Sequence, residues 1–444
     1  MTRWLYSWVM WLAQPLLRRK LARRSVQEPG YGQCVEERFG HYAHKVFAHP
    51  GPTLWIHAVS LGETRAAAVL VNALRRQLPQ MRLLLTHGTA TGRAEGLKIL
   101  QTGDLQAWQP WDTPAAVQRF LTHFKPDLGI LMETEVWPNL VAACQQKGVP
   151  LVLVNARLSD KSLRKTQRLA WLARPAYAAL TAVWAQTPLD AQRLQALGAK
   201  VRGVMGNLKF DATPNADQLA LGRAWRVQLA KPVLMFASSR EGEELALLAL
   251  LSHGLPRPDG LAMTKGVNWL IVPRHPQRFD AVAKLIESHG FAAQRRSAWG
   301  QGGPVVQDAA PPAIWLGDSL GEMALYYGLA DVALLGGSFE PLGGQNLIEA
   351  AACGCPVVMG PHTFNFAEAA EQALLAGAAL RAESLDQALV TALEVALHRD
   401  KHQQMVQSST AFAEKNRGAA ERTAQEIGKL LHQQGIDGVE VVSR

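Results

Sequence analysis

The sequence predicts an α/β protein of two Rossmann-like domains. Two observations carry this expectation. The chain has 444 residues, more than one hydrophobic core usually serves, so two domains are the default. From about residue 50 onward, short apolar runs alternate with helical stretches, as successive βα units of a parallel sheet do. A composition of 48% apolar and 19% charged residues supplies the material for two large cores. One segment stands outside the pattern, an N-terminus rich in tryptophan and arginine.

That segment comes first. Residues 4–17 form an apolar run of 14, shorter than the roughly 20 residues a spanning helix needs. Its three tryptophans and one tyrosine favour the headgroup level of a bilayer. Arg18, Arg19, Lys20, Arg23 and Arg24 follow, and no small-residue cleavage site does, which argues against a cleaved signal peptide. The pattern fits a helix lying in a membrane interface, the alternative being a surface helix packed on its own domain. If the segment inserted, a positive flank of this kind would keep the remaining chain in the cytoplasm. Six of the nine net positive charges lie in residues 1–24, which leaves +3 over the other 420. The rest of the chain is therefore not uniformly basic, and no nucleic-acid partner is expected. Cys34, Cys144, Cys353 and Cys355 have no zinc-like spacing and read as small, reduced residues of a cytosolic protein; no metal site is expected.

The first half then gives strand-like runs at 54–59, 81–85, 128–132, 151–154 and 182–185. The pattern loosens between 203 and 231 and restarts with runs at 233–237, 269–272, 313–316, 332–335 and 356–359. Residues 385–432 are mostly helical in composition. The expected organisation is an anchor over 1–24, a first Rossmann-like domain over 25–212, a linker over 213–232, a second domain over 233–425 and a tail over 426–444. Two such domains with polar loops facing a cleft form the architecture called GT-B among glycosyltransferases. It also houses sugar-nucleotide epimerases and phosphorylases, so the fold alone fixes no function.

Ligands of open α/β sheets bind outside the carboxyl ends of the strands, so candidates are sought there. Ser60-Leu61-Gly62-Glu63 places an acid at the mouth of a turn, a candidate general base. Met132-Glu133-Thr134-Glu135 ends another run, and strand alternation points Glu133 and Glu135 the same way. Such a pair serves catalysis or cation binding, unless it is structural and bonded to loop amides. Lys209, at the domain junction, is placed to neutralise a leaving group, the alternative being a solvated hinge lysine. His57, inside its strand, reads as a satisfied core histidine.

The second half is expected to bind an anionic nucleotide. Gly336-Gly337-Ser338 follows one strand and Gly343-Gly344 comes seven residues later, a density of glycine that suits close backbone approach to a ligand. Asn346, Leu347, Ile348 and Glu349 open a helix whose amides suit a phosphate, with Glu349 placed to accept from a ribose diol. Pro273-Arg274-His275 supplies a cation at another strand end. Leu320-Gly321-Glu322 offers backbone groups to a base edge.

Several ordered motifs then resemble one family. These are Ser60-Leu-Gly-Glu63, Glu133-Thr-Glu-Val-Trp-Pro138, Asn155-Ala-Arg-Leu-Ser159, Gly206-Asn-Leu-Lys-Phe210, Pro273-Arg-His-Pro276, Gly317-Asp-Ser-Leu-Gly-Glu322, Gly336-Gly-Ser338, Gly343-Gly-Gln-Asn-Leu-Ile-Glu349 and Gly360-Pro-His362. Together they are similar to the 3-deoxy-D-manno-octulosonic acid (Kdo) transferases of Gram-negative bacteria, from about residue 30 to about 425. The resemblance implies a GT-B fold, CMP-Kdo as donor, a lipid A precursor as acceptor, and inverting transfer without a metal or other cofactor at the cytoplasmic face of the inner membrane. By position, Glu63 matches the family's general base, and Glu133 and Lys209 match positions that support the transition state. Pro273, Arg274, Leu320, Gly321, Glu322, Asn346, Leu347, Ile348 and Glu349 match its CMP-binding stretches. Gln345 departs from the family's usual His, which removes any cationic role there. His87 stands in a usually Thr-rich turn, where it is placed to alter acceptor contacts.

The chemistry agrees with these residues. A CMP-sugar leaves with one phosphate, so Arg, Lys and helix-terminal amides suffice to stabilise the departing charge. Inversion by direct displacement needs one base and no protein nucleophile. Two alternatives remain at this point: an epimerase or hydrolase of a soluble sugar nucleotide, and a non-catalytic nucleotide-binding membrane protein. The first does not need the N-terminal aromatic belt, and the second does not need acids at the strand ends of the first half.

Overall fold

The computed structural model describes residues 2–253, 266–305 and 311–436. The chain divides into two compact units, Met1–Ala212 with Arg417–Arg444, and Thr213–Asn416.

The first unit is built on a seven-stranded parallel sheet. Its strands are β1 (Thr53–His57), β2 (Arg82–His87), β3 (Leu105–Trp108), β4 (Leu128–Met132), β5 (Leu151–Ala156), β6 (Ala182–Ala185) and β7 (Val201–Val204), in the order β3-β2-β1-β4-β5-β6-β7. The central strands are buried throughout, as strands covered by helices on both faces must be. Alternate residues of β1 feed different cores. Leu54 and Ile56 pack with the helix Leu61–Gln77, and Trp55 packs with Phe120 on the opposite face. The strand order reverses between β1 and β4, so the crevice at this switch point lies beyond Ser60–Glu63 and Glu133.

The second unit repeats the plan. Its strands are β8 (Val233–Ser239), β9 (Asn268–Pro273), β10 (Ala292–Arg295), β11 (Ala313–Leu316), β12 (Val332–Leu335), β13 (Val357–Met359) and β14 (Ala379–Arg381), in the order β10-β11-β9-β8-β12-β13-β14. Here the switch point lies between β8 and β12, beyond Ser239-Arg240 and Gly336-Gly337.

Two expected boundaries need correction. Residues 213–232 are not a free linker. They contain the helix Ala216–Val227, which packs closely on the helix Met323–Leu329 and belongs to the second unit. The contact is close because glycines line it: a Cβ on Gly222 would lie 2.1 Å from the Leu325 carbonyl oxygen, and one on Gly328 would lie 2.6 Å from that of Leu219. The second domain also does not run to 425. The last helix, Ala419–Gln433, returns to the first unit, where Ala420, Ala424, Ile427 and Leu431 pack against the helix Leu61–Gln77. Asp211 fixes its start by accepting from the Gly418 and Ala420 N–H groups at 2.5 and 2.6 Å. The expected tail over 426–444 therefore begins inside this helix, which runs to Gln433, and its residues 437–444 lie outside the described residues.

Candidate active site

The helix Leu61–Gln77 begins at Ser60, whose hydroxyl caps it by accepting the Glu63 N–H. The Glu63 carboxylate reaches back. Its Oε2 accepts the Val59 N–H at 2.9 Å and its Oε1 accepts the Ser60 hydroxyl at 3.0 Å. This is a variant of the capping box in which the carboxylate takes the N–H before the N-cap, so Glu63 also has a structural role that the sequence reading did not weigh. The carboxyl is half-buried. Burial lifts its pKa to about 7; the Val59 N–H opposes the shift, and the Glu133 and Glu135 charges add to it. The structure thus brings Glu63, Glu133 and Glu135 within electrostatic reach of one another at the switch point.

Glu133 is 4% exposed and adopts φ 55°, a left-handed conformation rare outside glycine. The strand ends at Met132, so alternation does not extend to Glu133 and Glu135, and the expectation that they point the same way is not met. Glu133 instead turns to two cations: its Oε2 lies 2.8 Å from Arg157 Nε and its Oε1 lies 3.2 Å from Lys209 Nζ. Glu135 Oε2 accepts the Trp137 indole N–H at 2.9 Å, and burial raises its pKa. Lys209 is delivered by the turn Leu208–Asp211, held by Asn155 Oδ1 accepting the Leu208 N–H at 3.1 Å and by Asn207 Oδ1 accepting the Lys209 N–H at 3.0 Å. Asn155 is itself left-handed, at φ 50°. Strained non-glycine residues gather at functional sites, and here two end β4 and β5. Arg157 and Asn155 were not singled out from sequence as site residues. Their signal was the Asn-Ala-Arg motif at a strand end.

His57 and His87 are core histidines. Burial holds them at about 3 and about 4, hence neutral, and their Nδ1 atoms contact Thr86 and the Ala58 carbonyl. His87 is 0% exposed, so the expectation that it alters acceptor contacts is not met.

In the second unit the two glycine pairs meet. The Gly344 N–H donates to the Gly337 carbonyl at 2.7 Å, and Gly337, Gly343 and Gly344 all have positive φ. A Cβ on Gly336 would lie 2.4 Å from the Ser238 carbonyl oxygen, so β8 and β12 tolerate no side chain there. A Cβ on Gly337 would meet Gln345 Nε2 at 3.1 Å, which puts the Gln345 amide beside this loop. Asn346 caps the short helix Leu347–Ala352 through the Ile348 N–H, and Glu349 lies near Tyr327 and Cys353. Pro273 ends β9; Arg274 and His275 beyond it are exposed. Burial and the charges of Arg240, Arg274 and Arg278 lower the His275 pKa, which marks a cationic strand end. Gly321 takes φ 78° between exposed Leu320 and Glu322, whose Oε1 accepts from Arg296 at 2.9 Å. Among the described residues no group of three or more His, Cys, Asp or Glu side chains is placed to hold a metal ion.

The N-terminal helix Thr2–Leu12 has two faces. Ser7 Oγ donates to Asn139 Oδ1 at 2.9 Å and Tyr6 is tied to Asp112, which docks one face on the first unit. Trp4, Leu5, Trp8, Val9, Trp11 and Leu12 make the other face and are exposed. No helix among the described residues is long and apolar enough to cross a membrane.

Comparison with known proteins bears on this arrangement. A family model described as 3-deoxy-D-manno-octulosonic-acid transferase (kdotransferase) matches residues 33–212. The 3-deoxy-D-manno-octulosonic acid transferase of Bordetella pertussis is 45% identical over 435 residues, covering 95% of this chain and 98% of that one. The chain belongs to the Kdo transferase family. The Haemophilus influenzae Kdo transferase is 32% identical and covers 95% of this chain and 97% of its own. A solved glycosyltransferase from Rickettsia africae has a TM-score of 0.55 at 14% identity, over 87% of this chain and all of its own, and this likeness concerns the fold. Within a Kdo transferase, the acids of the first switch point and the glycine loops of the second are candidates for the two halves of a transfer reaction.

Proposed function

We propose that this chain moves Kdo from CMP-Kdo to a hydroxyl of a lipid A precursor, lipid IVA, with inversion at the anomeric carbon. Membership of the Kdo transferase family supports the transferred sugar. The observation that carries the mechanism is the half-buried Glu63 carboxyl with its pKa near 7, at the switch point of the first sheet. A base poised near the working pH combines the ionised form with useful driving force. Glu63 takes the proton of the acceptor hydroxyl, that oxygen bonds to the anomeric carbon, and the bond from this carbon to the phosphate oxygen breaks with its electron pair leaving on CMP. Glu133 holds Lys209 and Arg157 as cations beside the reacting groups, where Lys209 stabilises developing negative charge.

In the second unit, Pro273, Arg274 and His275, Leu320–Glu322, Gly337 and Asn346–Glu349 form the proposed CMP site. The single phosphate of the donor is matched to arginines rather than to a metal, and turnover is expected to persist in EDTA. The exposed aromatic face of Thr2–Leu12 and the basic residues that follow it suit an anionic bilayer surface, and the proposed location is the cytoplasmic face of the inner membrane.

Incubation with CMP-Kdo and tetra-acylated lipid A precursor tests the reading. CMP release with a matching gain in lipid mass is expected. CMP release without a heavier lipid would make the chain a hydrolase and overturn the acceptor assignment.

A further inference from the structure

The second unit fills its own switch point with a carboxylate. Beyond β8, Gly242 at φ 93° turns the chain into the helix Glu243–His253. Glu243 is 2% exposed and aims its carboxylate at the strand-end loops. The Gly337 N–H donates to both of its oxygens at 2.8 Å, and the Arg240 N–H donates to Oε2 at 2.8 Å. The Phe339 N–H adds a further backbone bond. Burial raises the Glu243 pKa, and these backbone bonds, which favour the ionised carboxyl, oppose the rise. Neighbouring Glu244 faces elsewhere: it accepts the Ser239 hydroxyl at 2.8 Å and binds Arg278 through two bonds of 2.7 and 3.0 Å.

Converging loop amides make a concave nest that suits an anion, and the crevice at a switch point is where open α/β sheets place nucleotide ligands. Gly337 supplies such an amide on this chain, and Glu243 already occupies it. Arg240, Arg274 and Arg278 lie close enough to His275 to lower its pKa, so the strand end is cationic.

We propose that Glu243 is a specificity-determining residue, an internal anion that denies the Gly337 nest to a second phosphate and so restricts the donor to a nucleoside monophosphate sugar. The proposal rests on the CMP-sugar reading given above and deepens it. A nucleoside diphosphate would bring a second negative group against the Glu243 carboxylate, and like charges in contact across a binding surface strongly disfavour the wrong partner.

Calorimetric titration of the full-length protein with CMP and with CDP tests this in wild type, Glu243→Gln and Glu243→Ala. Wild type is expected to prefer CMP by about tenfold or more, and Glu243→Gln to narrow that preference by about tenfold, a step of about 1.4 kcal/mol. The Gln variant keeps an acceptor for the Gly337 N–H, so it decides the matter if the Ala variant does not fold, with melting temperatures recorded alongside. A purely structural Glu243 would weaken both nucleotides together and leave their ratio unchanged. That result, or wild type binding CDP as tightly as CMP, overturns the proposal while leaving CMP recognition standing. Failure of wild type to bind CMP at all sinks the donor reading, and this proposal falls with it.

Discussion

Both sheets end their switch points in a glutamate that accepts a backbone N–H, and the two glutamates are held differently. Glu63 is half-buried, bonded through one oxygen to Val59 and through the other to Ser60, with other carboxylates near it. Glu243 is buried, with both oxygens on the Gly337 amide and one also on Arg240. The lesson is that a strand-end acid is defined by its partners. Burial raises both carboxyls, and at Glu63 few backbone bonds oppose the rise, which leaves it able to take a proton. Enclosure by amides makes a carboxyl part of the loop that it holds.

This contrast can be broken or sharpened by mutation. The largest effect is expected at the first switch point: Glu63→Gln should lower transfer by roughly 10²- to 10⁴-fold with the fold intact, and normal turnover would remove Glu63 as the base. Lys209→Met should lower kcat by about 10²-fold with a smaller change in KM; equal loss in binding and turnover would make Lys209 a binding residue instead. At the second switch point, Gly336→Ala forces a Cβ to within 2.4 Å of the Ser238 oxygen. It should destabilise the second unit by about 1–3 kcal/mol and weaken CMP binding without touching the pKa of the first site. A smaller change is expected from replacing Trp4, Trp8 and Trp11 together by Ala. Flotation with anionic vesicles should fall several-fold while melting is unchanged, because Tyr6 and Ser7 hold the helix by its other face. Unchanged flotation would reassign the aromatic face.

The smallest effect is in stability against pH. Burial raises the folded-state pKa of Glu63 to about 7, above its ordinary value of 4.5. The folded protein therefore binds this proton more tightly than the unfolded chain, and the contribution to stability is complete below about 4.5 and lost as pH rises to about 7. Glu63→Gln should flatten the stability profile across that window. The transfer rate should show the opposite limb, rising through about 7. A wild-type rate independent of pH there would contradict the base assignment.

Much of this was legible in the sequence for a physical reason. All ten apolar runs became strands, and these are the interior strands of the two sheets. The four strands that escaped notice, β3, β7, β10 and β14, are the four sheet edges. An edge strand is covered less, so its residues need not be continuously apolar: β7 reads Val-Arg-Gly-Val and β10 reads Ala-Ala-Gln-Arg. Glu63, Glu133 and Lys209 were singled out because strand-end acids and a lysine at the domain junction stand out in a chain of βα units. Glu243 was not, because Arg240-Glu241-Gly242-Glu243-Glu244 reads as a charged surface turn. Only the fold shows that Glu243 and Glu244 are both buried and that Glu243 is the one on the Gly337 amide. The return of the last helix to the first unit had no local signal at all, since its amphipathic pattern says that it packs but not against what.

That return sets an order of assembly. The helix carrying Glu63 at its first turn is covered by residues 419–431, near the end of the chain. On a ribosome, the second unit emerges whole and can fold as a unit, while the first must wait for a segment made some 200 residues later. Until then the apolar face of Leu61–Gln77 is uncovered, and Glu63 has no settled scaffold. A chain interrupted before residue 417 would thus hold a finished second unit joined to an unfinished first one. Synthesis through residue 431 becomes a condition for the Glu63 helix to be covered.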